Sequence, residues 1–235
     1  MSVKYKLVSD AIENDIENGK YTLTNKLPTE DDLIQQYQVS RNTIRKAIDL
    51  LVKRGIIMPI QGSGMFLRKP PTDGCVNLEN FHGLTAGFHK NLVETEVIDF
   101  KLTQADGKLA EIMQCPEGTP LYFVERLRSI DGKKFVIEYS HFNKEVIPYL
   151  SREIVSTSIY QYITQDLRKQ IGYVDRVIEA GILNEHDAKY LGLQPGDPAL
   201  ISINRAMLKS GVIFDYSIDI HNYKHTKFLK LSNFV

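Results

Sequence analysis

Residues 39–55, VSRNTIRKAIDLLVKRG, read as one short helix followed at once by a glycine-centred hairpin signal, Gln61-Gly62-Ser63-Gly64-Met65. Ser40 is a good N-cap. Behind it Ile44, Ala47, Ile48 and Leu51 recur at helical spacing, so one face packs inward while Arg41, Asn42, Thr43, Arg45 and Lys46 project outward. A first turn carrying Arg, Asn and Thr holds hydrogen-bonding groups suited to base edges in the DNA major groove. The strand pair after it would form a wing.

The flanking pattern agrees. Tyr5, Val8, Ile12 and Ile16 mark the apolar stripe of a first helix ending near Asn18-Gly19. Leu27-Pro28-Thr29 leads into a second helix with Thr29 as cap, Glu30, Asp31 and Asp32 against the positive helix end, and Leu33 and Tyr37 facing inward. Gln38-Val39 is a tight turn, Gly55 the expected C-cap of the third helix, and Ile56 to Ile60 and Met65 to Arg68 short strands. Residues 1–68 are thus expected to form a winged helix-turn-helix, a DNA-binding domain.

Lys69-Pro70-Pro71-Thr72-Asp73-Gly74 reads as a stiff linker, which sets the boundary at residues 69–75. In residues 76–235 the pattern changes to strands: Glu94 to Thr103, Leu121 to Ile130, Phe135 to Phe142, Tyr173 to Leu183, Ala199 to Leu208 and Val212 to Tyr223. Helices are expected near Lys108 to Met113, Ser158 to Lys169 and Asn184 to Leu191. Asp131-Gly132 and Ser210-Gly211 are hairpin turns, so the sheet is largely antiparallel and the fold class α+β.

A length of 235 residues suits two such domains. The net charge is zero, yet residues 1–70 hold 11 Lys or Arg against 8 Asp or Glu. That surplus is weak evidence for nucleic acid, and its position matters more than its size. No segment approaches the roughly 20 apolar residues needed to span a bilayer, and the N-terminus lacks an apolar signal core. A soluble, cytoplasmic protein with no membrane partner is expected. Cys75 and Cys115 stand alone, without metal-ligand spacing, so neither a metal site nor a cofactor is expected.

Arg126 and Arg128 are two apart on one strand and so face the same way, and two arginines there need an anion. With a three-residue Asp131-Gly132-Lys133 loop pairing Ile130 with Lys134, Arg126 lies opposite Glu138 and Arg128 opposite Val136. A cross-strand Arg126–Glu138 pair on a half-exposed sheet then accounts for one arginine and leaves Arg128 without a partner. Ser158 opens a helix whose free N–H groups, with its hydroxyl, could hold a phosphate; an N-cap serine needs no ligand.

The first domain resembles the GntR family of bacterial transcription regulators. Leu27-Pro28-Thr29-Glu30 looks like its LPSE signature, Val39 to Ala47 like VSRxTVRxA, and Gln61 to Phe66 like the QGxGTF wing. The second resembles the UTRA effector domain of the HutC subfamily, which has the chorismate-lyase fold, through Arg126-Leu127-Arg128, Asp131-Gly132, Glu138-Tyr139, Ser158-Ile159-Tyr160, Leu191-Gly192-Leu193 and Asp215-Tyr216-Ser217. The resemblance implies a homodimeric repressor of sugar-utilisation genes whose operator binding answers to a small metabolite. It puts DNA contacts on Ser40, Arg41, Thr43 and Arg45, and on Gln61, Gly62 and Gly64 in the wing. In one departure, Asp31 stands where many members have a DNA-touching Arg; it would repel a phosphate or only cap a helix.

In the second domain the resemblance gives Arg126, Arg128, Ser158 and Tyr160 to the phosphate of a phosphorylated sugar, and Glu138 and Asp215 to sugar hydroxyls. His221 sits where Tyr is common in amino-sugar sensors, or is a surface histidine near a strand end. The Phe81-His82-Gly83-Leu84-Thr85 loop would close over the phosphate through backbone N–H groups and Thr85. The alternatives are a regulator of a non-phosphorylated ligand, an architectural DNA binder, and a chorismate-lyase-like enzyme fused to a DNA anchor. Against the enzyme stand the lack of a nucleophile with a partnered base, of a metal set and of an NTPase-type Gly-rich loop.

Overall fold

Each of two units of the chain builds its own core: residues 1–73 with 77–80 and 229–235 form one, residues 74–76 with 81–228 the other. The computed structural model describes residues 4–68, 75–78, 83–88 and 92–231. Of the expected linker, residues 69–74 lie outside the described residues, and Cys75 opens a strand.

In the first unit, helices α1 (Lys4–Glu17), α2 (Glu30–Tyr37) and α3 (Arg41–Lys53) bury Val8, Ile12, Leu33, Ile44, Ala47, Ile48 and Leu51 together. Thr29 and Asp32 form a reciprocal capping box at the start of α2, so the cap partner is Asp32 and not Asp31. The turn into α3 bends at Gln38, which takes the left-handed conformation, and Ser40 caps α3 by accepting from the Thr43 N–H. The C-cap of α3 is Arg54; Gly55, expected there, lies one residue beyond at φ +70°. That conformation lets Ile56 N–H donate to the Leu51 carbonyl (3.0 Å), closing the helix, and it favours glycine. Strands β1 (Ile57–Ile60) and β2 (Gly64–Leu67) follow as an antiparallel hairpin, widened by a bridge between Lys26 and Phe66.

The second unit is a six-stranded sheet ordered β4-β5-β6-β9-β8-β7, antiparallel at every ladder between described residues: β4 (Val93–Gln104), β5 (Pro120–Ile130), β6 (Lys133–Asn143), β7 (Ile171–Ile182), β8 (Pro198–Leu208) and β9 (Ile213–Asn222). A separate ladder pairs β3 (Cys75–Asn77) with β10 (Lys227–Leu229). Short helices α4 (Leu84–Gly87), α5 (Gly107–Met113), α6 (Arg152–Val155), α7 (Ile159–Gln161) and α8 (Glu185–Leu191) lie between strands. One sheet face receives Leu183 and, from α8, Ala188 and Leu191 against Leu127, Ile137 and Ile220. On the other, Val155, Ile159 and Ile163 pack on Val124, Phe142, Ala206 and Phe214.

Two local expectations need correction. The helix expected from Ser158 to Lys169 is three α residues followed by a π turn, Tyr162–Asp166. There the Thr164 hydroxyl takes the Tyr160 and Gln161 carbonyls and competes with the regular ladder. The β5–β6 loop has two residues: Asp131 (φ +49°) and Gly132 (φ +73°) turn tightly and Ile130 pairs with Lys133. A register shift between Arg128 and Ser129 then restores Arg126 opposite Glu138 and Arg128 opposite Val136. The expected pairing is therefore correct although the expected loop was not.

Candidate functional sites

The first candidate site is the outer face of α3 with the wing. Arg41 and Arg45 extend into solvent, their side chains 54% and 60% exposed, and Gln61, Gly62 and Gly64 are exposed at the hairpin tip. Gly62 takes φ +73° and Ser63 N–H donates to the Ile60 carbonyl, so glycine serves the turn and also leaves its outer side open. Ser40 and Thr43 are partly committed: their hydroxyl oxygens lie 2.9 Å apart and Ser40 holds the cap. Sequence reading missed the partners of the arginines. Arg41 Nη2 donates to Asp31 Oδ1 (2.5 Å) and Arg45 Nε to Glu30 Oε2 (3.1 Å), across the turn between α2 and α3.

The second candidate site is a polar strip on the face of the large sheet opposite α8. Arg126 is 6% and Arg128 3% exposed, so the half-exposed sheet expected for them is a buried one. Arg126 donates through Nη1 to the Val155 and Thr157 carbonyls (2.9 and 3.1 Å) and through Nη2 to Glu138 Oε2 (2.5 Å). Arg128, expected to lack a partner, donates to Thr85 Oγ1 (2.7 Å) and lies 3.5 Å from the same Glu138 oxygen. Thr85 sits on α4, not in a loop; Phe81 and His82 lie outside the described residues.

Further along this face, Tyr160 donates to Asp215 Oδ2 (2.8 Å). Ser158 caps α7 by accepting from Gln161 N–H. His221, offered above as a surface histidine, is 4% exposed, with Nε2 2.9 Å from the Ser202 hydroxyl. Asp219, Ser202, Asn204, Ser217 and Arg176 were missed. Asn204 Nδ2 donates to Asp219 Oδ2 (2.7 Å) and Ser217 Oγ (3.1 Å), Ser202 donates to the same Asp219 oxygen (3.1 Å), and Arg176 Nε donates to Asn204 Oδ1 (2.6 Å). Asp215, Ser217, Asp219 and His221 alternate along β9, which places all four on one face; polar residues at that period on a buried strand were the available signal.

Burial dominates the ionisation of this strip. It pushes the Asp215 carboxyl up to about 8, with Asp219 adding to the rise and the Tyr160 hydroxyl opposing it. Asp219 is pushed up to about 7 by burial and by Glu138. Burial alone would raise Glu138 too, but Arg126 and Arg128 outweigh it and hold that carboxyl below its ordinary range. His221 is drawn down to about 3 by burial and then by Arg176, and is neutral. At neutral pH three guanidinium groups therefore face one firmly ionised carboxylate. Four buried polar atoms here, Arg126 Nε, Arg128 Nε, Asp215 Oδ1 and His221 Nδ1, have no hydrogen-bond partner among the described residues. The arrangement suits an anion carrying several hydroxyl groups.

These shifts give a pH dependence. Carboxyls raised in the folded state contribute stability that is full below the unfolded value and lost as pH rises through the folded one. Asp215 and Asp219 thus favour folding near pH 4 and lose that contribution by about pH 8. His221 opposes them only below its ordinary value of 6.5, because there the unfolded chain takes up the proton. The Tm of the free protein should fall as pH rises from about 5 to 8, and Asp215→Asn should flatten the fall. A Tm that rises across that window would contradict this account.

Residues 90–227 match the family model of the UTRA domain, and residues 4–67 that of bacterial regulatory proteins, gntR family. The uncharacterized HTH-type transcriptional regulator YydK of Bacillus subtilis (strain 168) is 34% identical over 231 residues, covering 98% of each chain. The crystal structure of possible transcriptional regulator YydK from Bacillus subtilis subsp. subtilis str. 168 aligns at TM-score 0.82, covering 98% of this chain and all of that one. The mannosyl-D-glycerate transport/metabolism system repressor MngR of Escherichia coli (strain K12) is 26% identical over 225 residues, 95% of this chain and 93% of that protein.

Proposed function

The chain belongs to the GntR family of bacterial regulatory proteins, a DNA-binding transcriptional regulator with a UTRA effector domain, and on that premise we propose that it represses sugar-utilisation genes and leaves its operator when a phosphorylated sugar binds the polar strip. One observation carries the ligand class: Arg126 and Arg128 are buried side by side with Glu138 as their shared ionised counter-charge. Two guanidinium groups against one carboxylate leave a surplus of one positive charge, which attracts an anionic phosphate. Asp215, Asp219, Asn204 and Ser202 offer the mixed donors and acceptors that sugar hydroxyls require. MngR, named as repressor of a mannosyl-glycerate system, supports a sugar-related ligand.

Operator contacts fall to Ser40, Arg41, Thr43 and Arg45 in the major groove and to Gln61, Gly62 and Gly64 at the wing. The active species is a homodimer. Its support is the sheet edge at β7, where Tyr173, Val177 and Ile182 are 60%, 59% and 76% exposed on a twelve-residue strand that ends the ladder order. Release works by population shift: an effector that binds one arrangement of the dimer better than another draws the protein away from the operator-binding form.

Thermal unfolding of the full chain with a panel of sugar phosphates and their parent sugars tests this reading, because a ligand specific to the folded state raises Tm by mass action. A phosphorylated sugar should raise Tm well beyond its unphosphorylated parent. Stabilisation by unphosphorylated compounds, with none by any phosphate, would overturn the ligand class.

A further inference from the structure

Arg41 is the first residue of α3, at the positive end of that helix dipole, and the first turn of α3 holds no acidic residue. The missing negative charge comes from α2. Asp31 Oδ1 lies 2.5 Å from Arg41 Nη2, while Glu30 Oε2 lies 3.1 Å from Arg45 Nε and 3.7 Å from Arg41 Nη1. Two guanidinium groups and two carboxylates thus form one exposed, neutral cluster on the face proposed above to meet DNA, and the inference rests on that proposal.

We infer that Asp31, supported by Glu30, is a specificity-determining residue that screens Arg41 from phosphates and steadies it for reading a base. A phosphate approaching Arg41 meets a cation already paired and must displace a carboxylate or tolerate it nearby, so a contact with backbone alone gains little. A base edge carries no net charge, so the carboxylate repels its acceptor atoms far less than it repels a phosphate. Asp31 engages one side of the guanidinium fan and fixes its direction, leaving the other N–H donors of Arg41 for the N7 and O6 acceptors of a guanine. The pair therefore weakens binding to random sequence more than binding to the right sequence.

Asp31→Asn removes the charge and keeps the fold, because the Thr29–Asp32 capping box, Glu30 and the buried Leu33 of α2 all remain. The full-length protein is titrated, over a range of salt concentrations, against a 30-base-pair random-sequence duplex and a duplex that the wild type selects from a random library. With Asp31→Asn, affinity for the random duplex should rise about threefold to tenfold, its salt slope should steepen by about one unit per protomer, and the ratio of selected to random affinity should fall. Asp31→Glu should restore the ratio, and on an Arg41→Ala background Asp31→Asn should no longer change it. An unchanged random-duplex affinity and slope, or an equal gain on the Arg41→Ala background, would overturn the inference. Failure of the wild type to select any duplex would instead overturn the DNA-reading role of this helix.

Discussion

Arg128→Ala is expected to abolish stabilisation by sugar phosphates while DNA binding persists. The residue is suited to separate the two because its removal leaves the neighbouring network standing. Arg126 still pairs with Glu138 at 2.5 Å, so no buried carboxylate is orphaned, and Thr85 loses only one hydrogen bond. Truncating one side of a buried charged contact costs about 2–5 kcal/mol, which for the ligand is roughly a thirtyfold to few-thousandfold loss of affinity. Arg126→Ala makes the contrast. It strips Glu138 of its nearest counter-charge and leaves the Val155 and Thr157 carbonyls short of a donor, a defect of about 3–5 kcal/mol in folding stability itself. Thermal unfolding of both variants, with and without ligand, should show Arg126→Ala with a lowered Tm and Arg128→Ala with a nearly normal Tm that no longer responds. If Arg128→Ala kept the full response, the anion would have to sit elsewhere.

The second large effect is Arg41→Ala, which should do the converse. Each bidentate contact to guanine is worth about 1–3 kcal/mol, and the proposed dimer would make it at two half-sites, so selected-duplex affinity should fall by about 2–6 kcal/mol. Stability should hardly change, since the Arg41 pairs with Asp31 and Glu30 are exposed and such pairs contribute about 0–1 kcal/mol. The ligand-dependent rise in Tm should survive intact. Anisotropy of a labelled duplex and thermal unfolding with ligand, measured on one preparation, read both halves. Retained sequence preference would remove Arg41 from the reading surface.

The first unit was legible because its information is local. The apolar period of Ile44, Ala47, Ile48 and Leu51, the caps at Thr29 and Ser40, and the glycines after α3 each act within a few residues of where they stand. What escaped there was the Asp31–Arg41 pair, ten residues apart in sequence and joined only because α2 and α3 fold back on each other. The acidic run at residues 30–32 has a sufficient local explanation in the dipole of α2, and that explanation concealed its second use.

In the second unit Arg126, Arg128 and Glu138 were legible through the strand period and one hairpin. Even there, a loop one residue shorter than expected and a compensating register shift gave the same pairing. Arg176, Asn204 and Asp219 depend on β7 pairing with β8 and β8 with β9, so no single hairpin brings the three together. Their polar alternation could be seen, but the strand that would face them could not. The π turn likewise depends on one hydroxyl, that of Thr164, taking carbonyls that propensity assigns to the helix ladder.

In the function proposed above, occupancy of the Arg126–Arg128 site governs whether α3 holds DNA. The most direct measurement is the fluorescence anisotropy of a selected, labelled duplex bound to the full-length protein while the phosphorylated sugar that most raises Tm is titrated in. Anisotropy should fall to that of free duplex in the wild type and stay high with Arg128→Ala. An anisotropy that stays high in the wild type at ligand concentrations that saturate the Tm shift would contradict that function.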